Sequence, residues 1–194
     1  MLAICLTSTI KFRDPIQNET LDTYLAKIKN GDKEALAALY QETKSSVYGF
    51  ALSILKNPQD VEDCLQDTYI QVFNAAKTYT SHGKPMAYIL TIARNLCLMK
   101  LRADKKTVDI SEEKWNTFVA ENDNLSSEDK LVLAAFLKLL TDEEKQIVTL
   151  YAISGFKHRE ISQILDLPLS TVLSKYNRAM KKLKKQYAEG GKEK

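Results

Sequence analysis

Apolar residues recur three and four positions apart along most of the first hundred residues. In LDTYLAKIKNGDKEALAALYQETKSSVYGFALSIL, Leu21, Tyr24, Leu25 and Ile28 form one stripe. Leu36, Leu39, Tyr40, Val47, Phe50, Ala51 and Ile54 form a second. That period is helical. Gly31 divides the two helices, as a residue at ease in the left-handed conformation that ends a helix. In the following NPQD, Asn57 is placed to cap a third helix and Pro58 to occupy its first position. This helix runs to about Lys77 and buries Val61, Leu65, Tyr69, Val72 and Ala76. TSHGKP is a loop, and a fourth helix runs from near Pro85 to near Arg102.

From Ala103 to Lys130 the period is lost. The acids Asp104, Asp109, Glu112, Glu113, Glu121, Asp123, Glu128 and Asp129 outnumber Lys105, Lys106, Lys114 and Lys130 there. Such a stretch reads as an acidic, flexible linker between domains. Helical spacing resumes with Leu131 to Leu140. TDEE then offers a capping box, with Thr141 as N-cap and Glu144 at the third helical position. Gly155 ends that helix near Ser154. HREISQILDLPLSTVLSKYNRAMKKL reads as a short helix, a tight break at DLP and a long final helix, the pattern of a helix-turn-helix.

The last helix has two unlike sides. Val172, Tyr176, Ala179, Met180, Leu183 and Tyr187 share an arc that can pack on Ile161, Ile164 and Leu165. Thr171, Ser174, Lys175, Arg178, Lys181, Lys182 and Lys185 fall opposite. A cationic helix suits the major groove of duplex DNA, where lysine and arginine release counterions from phosphate. Ser170, Thr171 and Ser174 lie toward its start, where base edges are read. A solvated basic face and a membrane-surface helix are the competing readings. The second is disfavoured because the apolar arc is needed for a core.

Composition narrows the class. Only 6 glycines and 4 prolines occur in 194 residues, too few turn formers for a hairpin-rich sheet protein. The fold class is therefore all-α: two small helical domains, an N-terminal bundle and a C-terminal helix-turn-helix, joined by the linker. Boundaries fall at 20–103 and 129–187, with an N-terminal extension over 1–19, the linker over 104–128 and a tail over 188–194. Cys5, Cys64 and Cys97 are far apart in sequence and odd in number, and neither His82 nor His158 has a Cys or His neighbour. This argues against a disulfide framework and a zinc site, and suits buried thiols in a reducing cytosol. The apolar start has no cationic leader, and no stretch approaches the ~20 apolar residues of a membrane span. A cytoplasmic protein without membrane insertion is expected. Neither a phosphate loop, a nucleophile elbow, a metal-ligand cluster nor a histidine dyad occurs, so no catalytic residues, no cofactor, no metal and no small-molecule substrate are expected.

NPQDVEDCLQDTYIQVF followed by PMAYILTIARNLCLMKLR, and then LTDEEKQIVTLYAISGFKHREISQILDLPLSTVLSKYNRAMKKL, resemble the extracytoplasmic-function (ECF) sigma factors of bacterial RNA polymerase. With the helices before them, these stretches cover nearly everything from Leu21 to Leu183. The resemblance implies a sigma factor that binds core polymerase and directs promoter-specific initiation. Asp60, Asp63, Gln66, Asp67 and Asn74, on one outward face, would dock on the clamp helices of the largest subunit. The C-terminal domain would meet the polymerase flap and read the minus-thirty-five element through Ser170, Thr171, Ser174, Lys175, Arg178, Lys181 and Lys182. Tyr88, Thr91, Arg94, Asn95 and Arg102 would handle the minus-ten element, with loop Thr78 to Lys84 receiving a flipped-out base. The linker would thread toward the active centre and RNA exit channel. An anti-sigma partner is implied as well. The chain departs from the family pattern at Tyr88 (commonly Trp), Met99 (Asp), Asp166 and Ser170 (Gly), Leu173 (Lys) and Lys175 (Arg). The competing function is a stand-alone helix-turn-helix regulator with an N-terminal sensing domain, which would bind DNA without polymerase.

Overall fold

The computed structural model describes residues 18–55, 57–103, 139–152 and 154–190, the last four of these without their side chains. The N-terminal extension up to residue 17, the linker, most of the predicted helix Leu131 to Leu140, the end of the tail, Cys5 and the side chain of Tyr187 lie outside the described residues. Every regular element among the described residues is helical, and these residues fall into two compact units, 18–103 and 139–190.

The first unit holds α1 (Asn18–Lys29), α2 (Lys33–Leu55), α3 (Pro58–Ala75), a 3-10 turn (Ala76–Thr78) and α4 (Pro85–Ala103). Between α1 and α2 the chain reverses at Gly31, whose φ is +86°. Asp32 then caps α2 by accepting from the backbone N–H groups of Glu34 and Ala35. Asn57 caps α3, its side chain accepting from Gln59 N–H at 3.2 Å. α2 packs on α1, α3 and α4, and α3 packs on α4. Leu21, Leu25, Leu39, Phe50, Leu52, Val61, Val72, Ile89 and Leu90 fill the common core. One polar contact inside it is satisfied: the Thr43 and Tyr69 hydroxyls meet at 2.6 Å.

Two cysteines remote in sequence also meet there. Cys64 Sγ and Cys97 Sγ lie 3.1 Å apart across the α3–α4 contact as free, buried thiols. The hydrogen bond to Cys64, and then burial, push the Cys97 thiol up, so it stays protonated. Sequence spacing gave no sign of this pairing, because it depends on how two helices cross.

The second unit holds α5 (Asp142–Ala152), α6 (His158–Leu165) and α7 (Leu169–Gly190). The capping box of α5 is present: Thr141 N–H donates to Glu144 Oε2 at 2.9 Å, and Glu144 N–H donates to Thr141 Oγ1 at 3.4 Å. Gly155, with φ +71°, ends the following turn. Ile147, Leu150, Ile161, Ile164, Val172 and Ala179 form a three-helix core. Between α6 and α7 the turn is held by Ser162, whose hydroxyl donates to Leu167 C=O at 2.7 Å. Asp166 takes the left-handed conformation, φ 51° and ψ 47°. Asp is among the few non-glycine residues that adopt it at modest cost.

Candidate nucleic-acid and polymerase interfaces

α7 carries the cationic ridge, and its core contacts decide which cations face outward. Val172, Ala179 and Leu183 are buried against α5 and α6. The side directly opposite carries Ser170, Ser174, Asn177, Arg178 and Lys181, all exposed. This face is rotated from the one predicted. Lys175 and Lys182 stand on its flank, turned toward α5, where Lys175 pairs with Glu143 and Lys182 Nζ lies 2.6 Å from Glu144 Oε2. Thr171 is half-buried on the same flank.

Glu144 explains the inward turn of Lys182. Its side chain is 1% exposed. Burial works against its ionisation, but the Lys182 ammonium and the Thr141 N–H outweigh it and hold the carboxyl below its ordinary range. A buried carboxylate without a cation is costly, so one lysine of the ridge is tied to the fold. Asn177 and Leu173, exposed beside the predicted residues, are absent from the predicted set. Choosing the faces by residue type favoured cations; the neutral amide carried no signal, and Leu173 stood out only as a departure from the family pattern.

On α4, Thr91, Asn95 and Arg102 are exposed on one face, Tyr88 lies half-buried on the same face and Arg94 half-buried at its edge. Met99, 62% exposed, belongs to that face too. The Thr91 hydroxyl donates back to Ala87 C=O at 2.8 Å, leaving its oxygen lone pairs outward. Near the start of α4, Thr78, Tyr79, Thr80, His82, Lys84 and Tyr88 line an open cavity of about 250 Å³. Two aromatic rings make its wall: Tyr79 and Tyr88 lie 4.8 Å apart, tilted by 49°. Tyr79 is anchored from α1, donating its phenol to Asp22 at 2.6 Å. Burial, then that bond to Asp22, raise its pKa, so the phenol remains a donor. An aromatic wall with hydroxyls and a lysine at its mouth is chemically suited to an unpaired base.

On α3, Asp63, Gln66, Asp67 and Asn74 are exposed on one face and Asp60 is half-buried at its start. Ile70 lies at the centre of this face and is 59% exposed. Lys100 of α4 reaches across to Asp60 at 2.9 Å and Asp63 at 3.0 Å. Among the described residues the end of the face without an ion pair is therefore Asp67, beside Ile70. Sequence reasoning passed over Ile70, because one apolar residue among acids reads as incidental.

Two helical units, one ending in a helix-turn-helix with a cationic outward face, define a transcription-factor class of protein. The sigma-70 region 2 family model matches residues 39–107, and that of sigma-70, region 4 matches residues 130–183. The chain belongs to the ECF sigma factors. It is 28% identical over 181 residues to the ECF RNA polymerase sigma factor SigK of Mycolicibacterium vanbaalenii, covering 89% of this chain and 92% of that protein. It is 26% identical over 182 residues to SigK of Mycobacterium ulcerans, covering 88% and 95%. Among solved structures it is similar to CnrH in complex with the cytosolic domain of CnrY, with TM-score 0.62 and 18% identity over 88% of this chain and 98% of that one. It is also similar to the sigma factor RpoE in complex with the anti-sigma factor NepR from Bartonella quintana, with TM-score 0.57 and 18% identity over 76% and 95%. The protein is thus a transcription initiation factor that acts with core RNA polymerase at promoter DNA. Among the described residues, no helix is long and apolar enough to cross a membrane.

Proposed function

We propose that the two units divide the work of promoter recognition. Residues 20–103 hold polymerase and the minus-ten strand, residues 129–187 read the minus-thirty-five duplex and meet the flap, and residues 104–128 join them. The α3 face, Asp60, Asp63, Gln66, Asp67 and Asn74 with Ile70 at its centre, docks on the clamp helices of the largest subunit. An apolar anchor ringed by acids fits a basic, partly apolar helix pair. The α4 face and the cavity between Tyr79 and Tyr88 capture the melted minus-ten strand. Ser170, Ser174, Arg178 and Lys181 meet the minus-thirty-five groove, with Thr171, Lys175 and Lys182 flanking them.

The outward face of α7 carries this reading. Polar and cationic side chains stand opposite buried Val172, Ala179 and Leu183, on the second helix of a helix-turn-helix. The protein acts in the cytoplasm, has no catalytic residues, and is held silent by an anti-sigma protein, as the RpoE–NepR complex suggests by analogy.

Run-off transcription with purified core polymerase on a promoter library tests the reading. Transcripts that require the chain and start at a shared promoter motif are expected, and no chain-dependent transcript would overturn it. A gel shift with the protein alone is expected to give weak duplex binding. Tight, specific binding without polymerase would favour the stand-alone regulator.

A further inference from the structure

The first turns of α7 expose an apolar side chain where polar ones are expected. Leu173 is 40% exposed at the edge of the outward face, one turn after Leu169, also 40% exposed, and one turn before Asn177. Val172, Ala179 and Leu183 are the buried anchors of α7, whereas Leu173 keeps 40% of its surface free. Ser170 and Ser174 stand beside it, and Arg178 and Lys181 follow along the same face. An exposed apolar residue beside a groove-sized helix face that carries Arg178 and Lys181 points to nucleic acid as its occupant, since phosphates pair with the cations while the groove floor meets the leucine.

Groove chemistry then narrows the base. A leucine neither donates nor accepts a hydrogen bond. Against guanine, adenine or cytosine it would bury a base-edge donor or acceptor unpaired, which is unfavourable. Thymine alone presents an apolar group in the major groove, its C5-methyl.

We propose that Leu173 is a specificity-determining residue that reads the C5-methyl of a thymine in the minus-thirty-five element. The inference rests on the duplex-reading role proposed above for α7. It adds that a leucine at this position sets a preference which hydrogen-bonding residues of the helix cannot supply.

The test uses the full-length chain with core polymerase on promoters randomised across the minus-thirty-five element. Selection is expected to enrich thymine at one position opposite the first turns of α7. Replacing that thymine by deoxyuridine, which removes only the methyl, is expected to lower initiation about fourfold, the transfer free energy of one methyl group. With Leu173→Ala the thymine and deoxyuridine promoters are expected to perform alike. No enriched thymine, or a thymine that deoxyuridine replaces without loss, overturns the proposal. Both of those results keep chain-dependent initiation and so leave the sigma-factor role standing. Absence of any initiation would instead strike at the reading on which the proposal rests. The deoxyuridine comparison needs only the unaltered protein, so it decides the matter even if Leu173→Ala folds poorly.

Discussion

Lys181 and Lys182 are neighbours in sequence with different work. Lys182 neutralises Glu144, whose second carboxylate oxygen, Oε1, is buried without a hydrogen-bond partner among the described residues. Replacing Lys182 by alanine leaves that carboxylate without its cation. Leaving a buried polar group short of a partner costs about 1–3 kcal/mol. The lower end applies because Lys182 is itself 35% exposed. Urea denaturation is expected to show the loss for Lys182→Ala and almost none for Lys181→Ala. Adding Glu144→Gln to Lys182→Ala should recover part of the stability; no recovery would mean the lysine matters for packing alone. A second residue-scale effect concerns pH. His158 stacks on Tyr151, ring centroids 4.8 Å apart, and meets the edge of Tyr176 at 4.6 Å. Its Nε2 is buried without a hydrogen-bond partner among the described residues, and desolvation lowers its pKa. The unfolded chain therefore takes up a proton first as pH falls below about 6.5. Stability of the second unit is complete above that value and declines as pH falls toward the depressed folded pKa. Urea midpoints between pH 7.5 and 5.5 are expected to drop for the natural chain and to flatten for His158→Phe. Equal slopes would assign the titration to another group.

At the scale of elements, α3 makes the clearest case. Its acids are not equivalent: Lys100 compensates Asp60 and Asp63, while Asp67 lies beside exposed Ile70. If the face meets a basic partner, Asp67→Lys is expected to weaken capture of core polymerase several-fold more than Asp60→Lys, and Ile70→Ala to weaken it as well. Pull-down with purified core enzyme measures this, and equal effects of the two reversals would move the contact toward the Lys100 end. Much of this architecture was legible in the sequence. Helix phase follows from apolar spacing, so the buried stripes of α1, α2 and α3 were readable, as were Asn57 as a cap, the Thr141–Glu144 box and the break at Asp166. What escaped depends on neighbours far along the chain. Lys175 and Lys182 turn aside because α5 presents Glu143 and Glu144 to them, and a helical wheel drawn for α7 alone has no knowledge of α5. The Cys64–Cys97 contact and the Tyr79–Tyr88 wall of the cavity arise the same way, from helix crossings. Ile70 and Asn177 escaped for a different reason, and Leu173 was marked only as a departure from the family pattern. Residue type ranked them low, and only exposure on a face of known orientation raised them.

At the scale of the whole molecule, charge is segregated more sharply than the net value of +3 suggests. From Leu167 to Lys185 the chain carries Lys175, Arg178, Lys181, Lys182, Lys184 and Lys185 and no acid, while 103–130 is rich in acids. Such a distribution makes promoter binding by the holoenzyme depend on salt through particular side chains. Each phosphate neutralised contributes about 0.9 to the slope of log affinity against log salt on duplex DNA. Polymerase supplies many such contacts of its own, so the informative quantity is the difference between variants measured in the same holoenzyme. Arg178→Ala and Lys181→Ala remove exposed cations on the outward face of α7. Together they are expected to reduce the slope by about 1.8 if both contact phosphate. Lys182→Ala removes a cation already paired with Glu144, and is expected to leave the slope unchanged while lowering stability. The three measurements form one contrast, because each variant loses a single positive charge per site and only its place on the helix differs. A slope that fell equally for Lys181→Ala and Lys182→Ala would mean that the protein senses salt through net charge alone, and that α7 does not meet the backbone by the face turned away from its core.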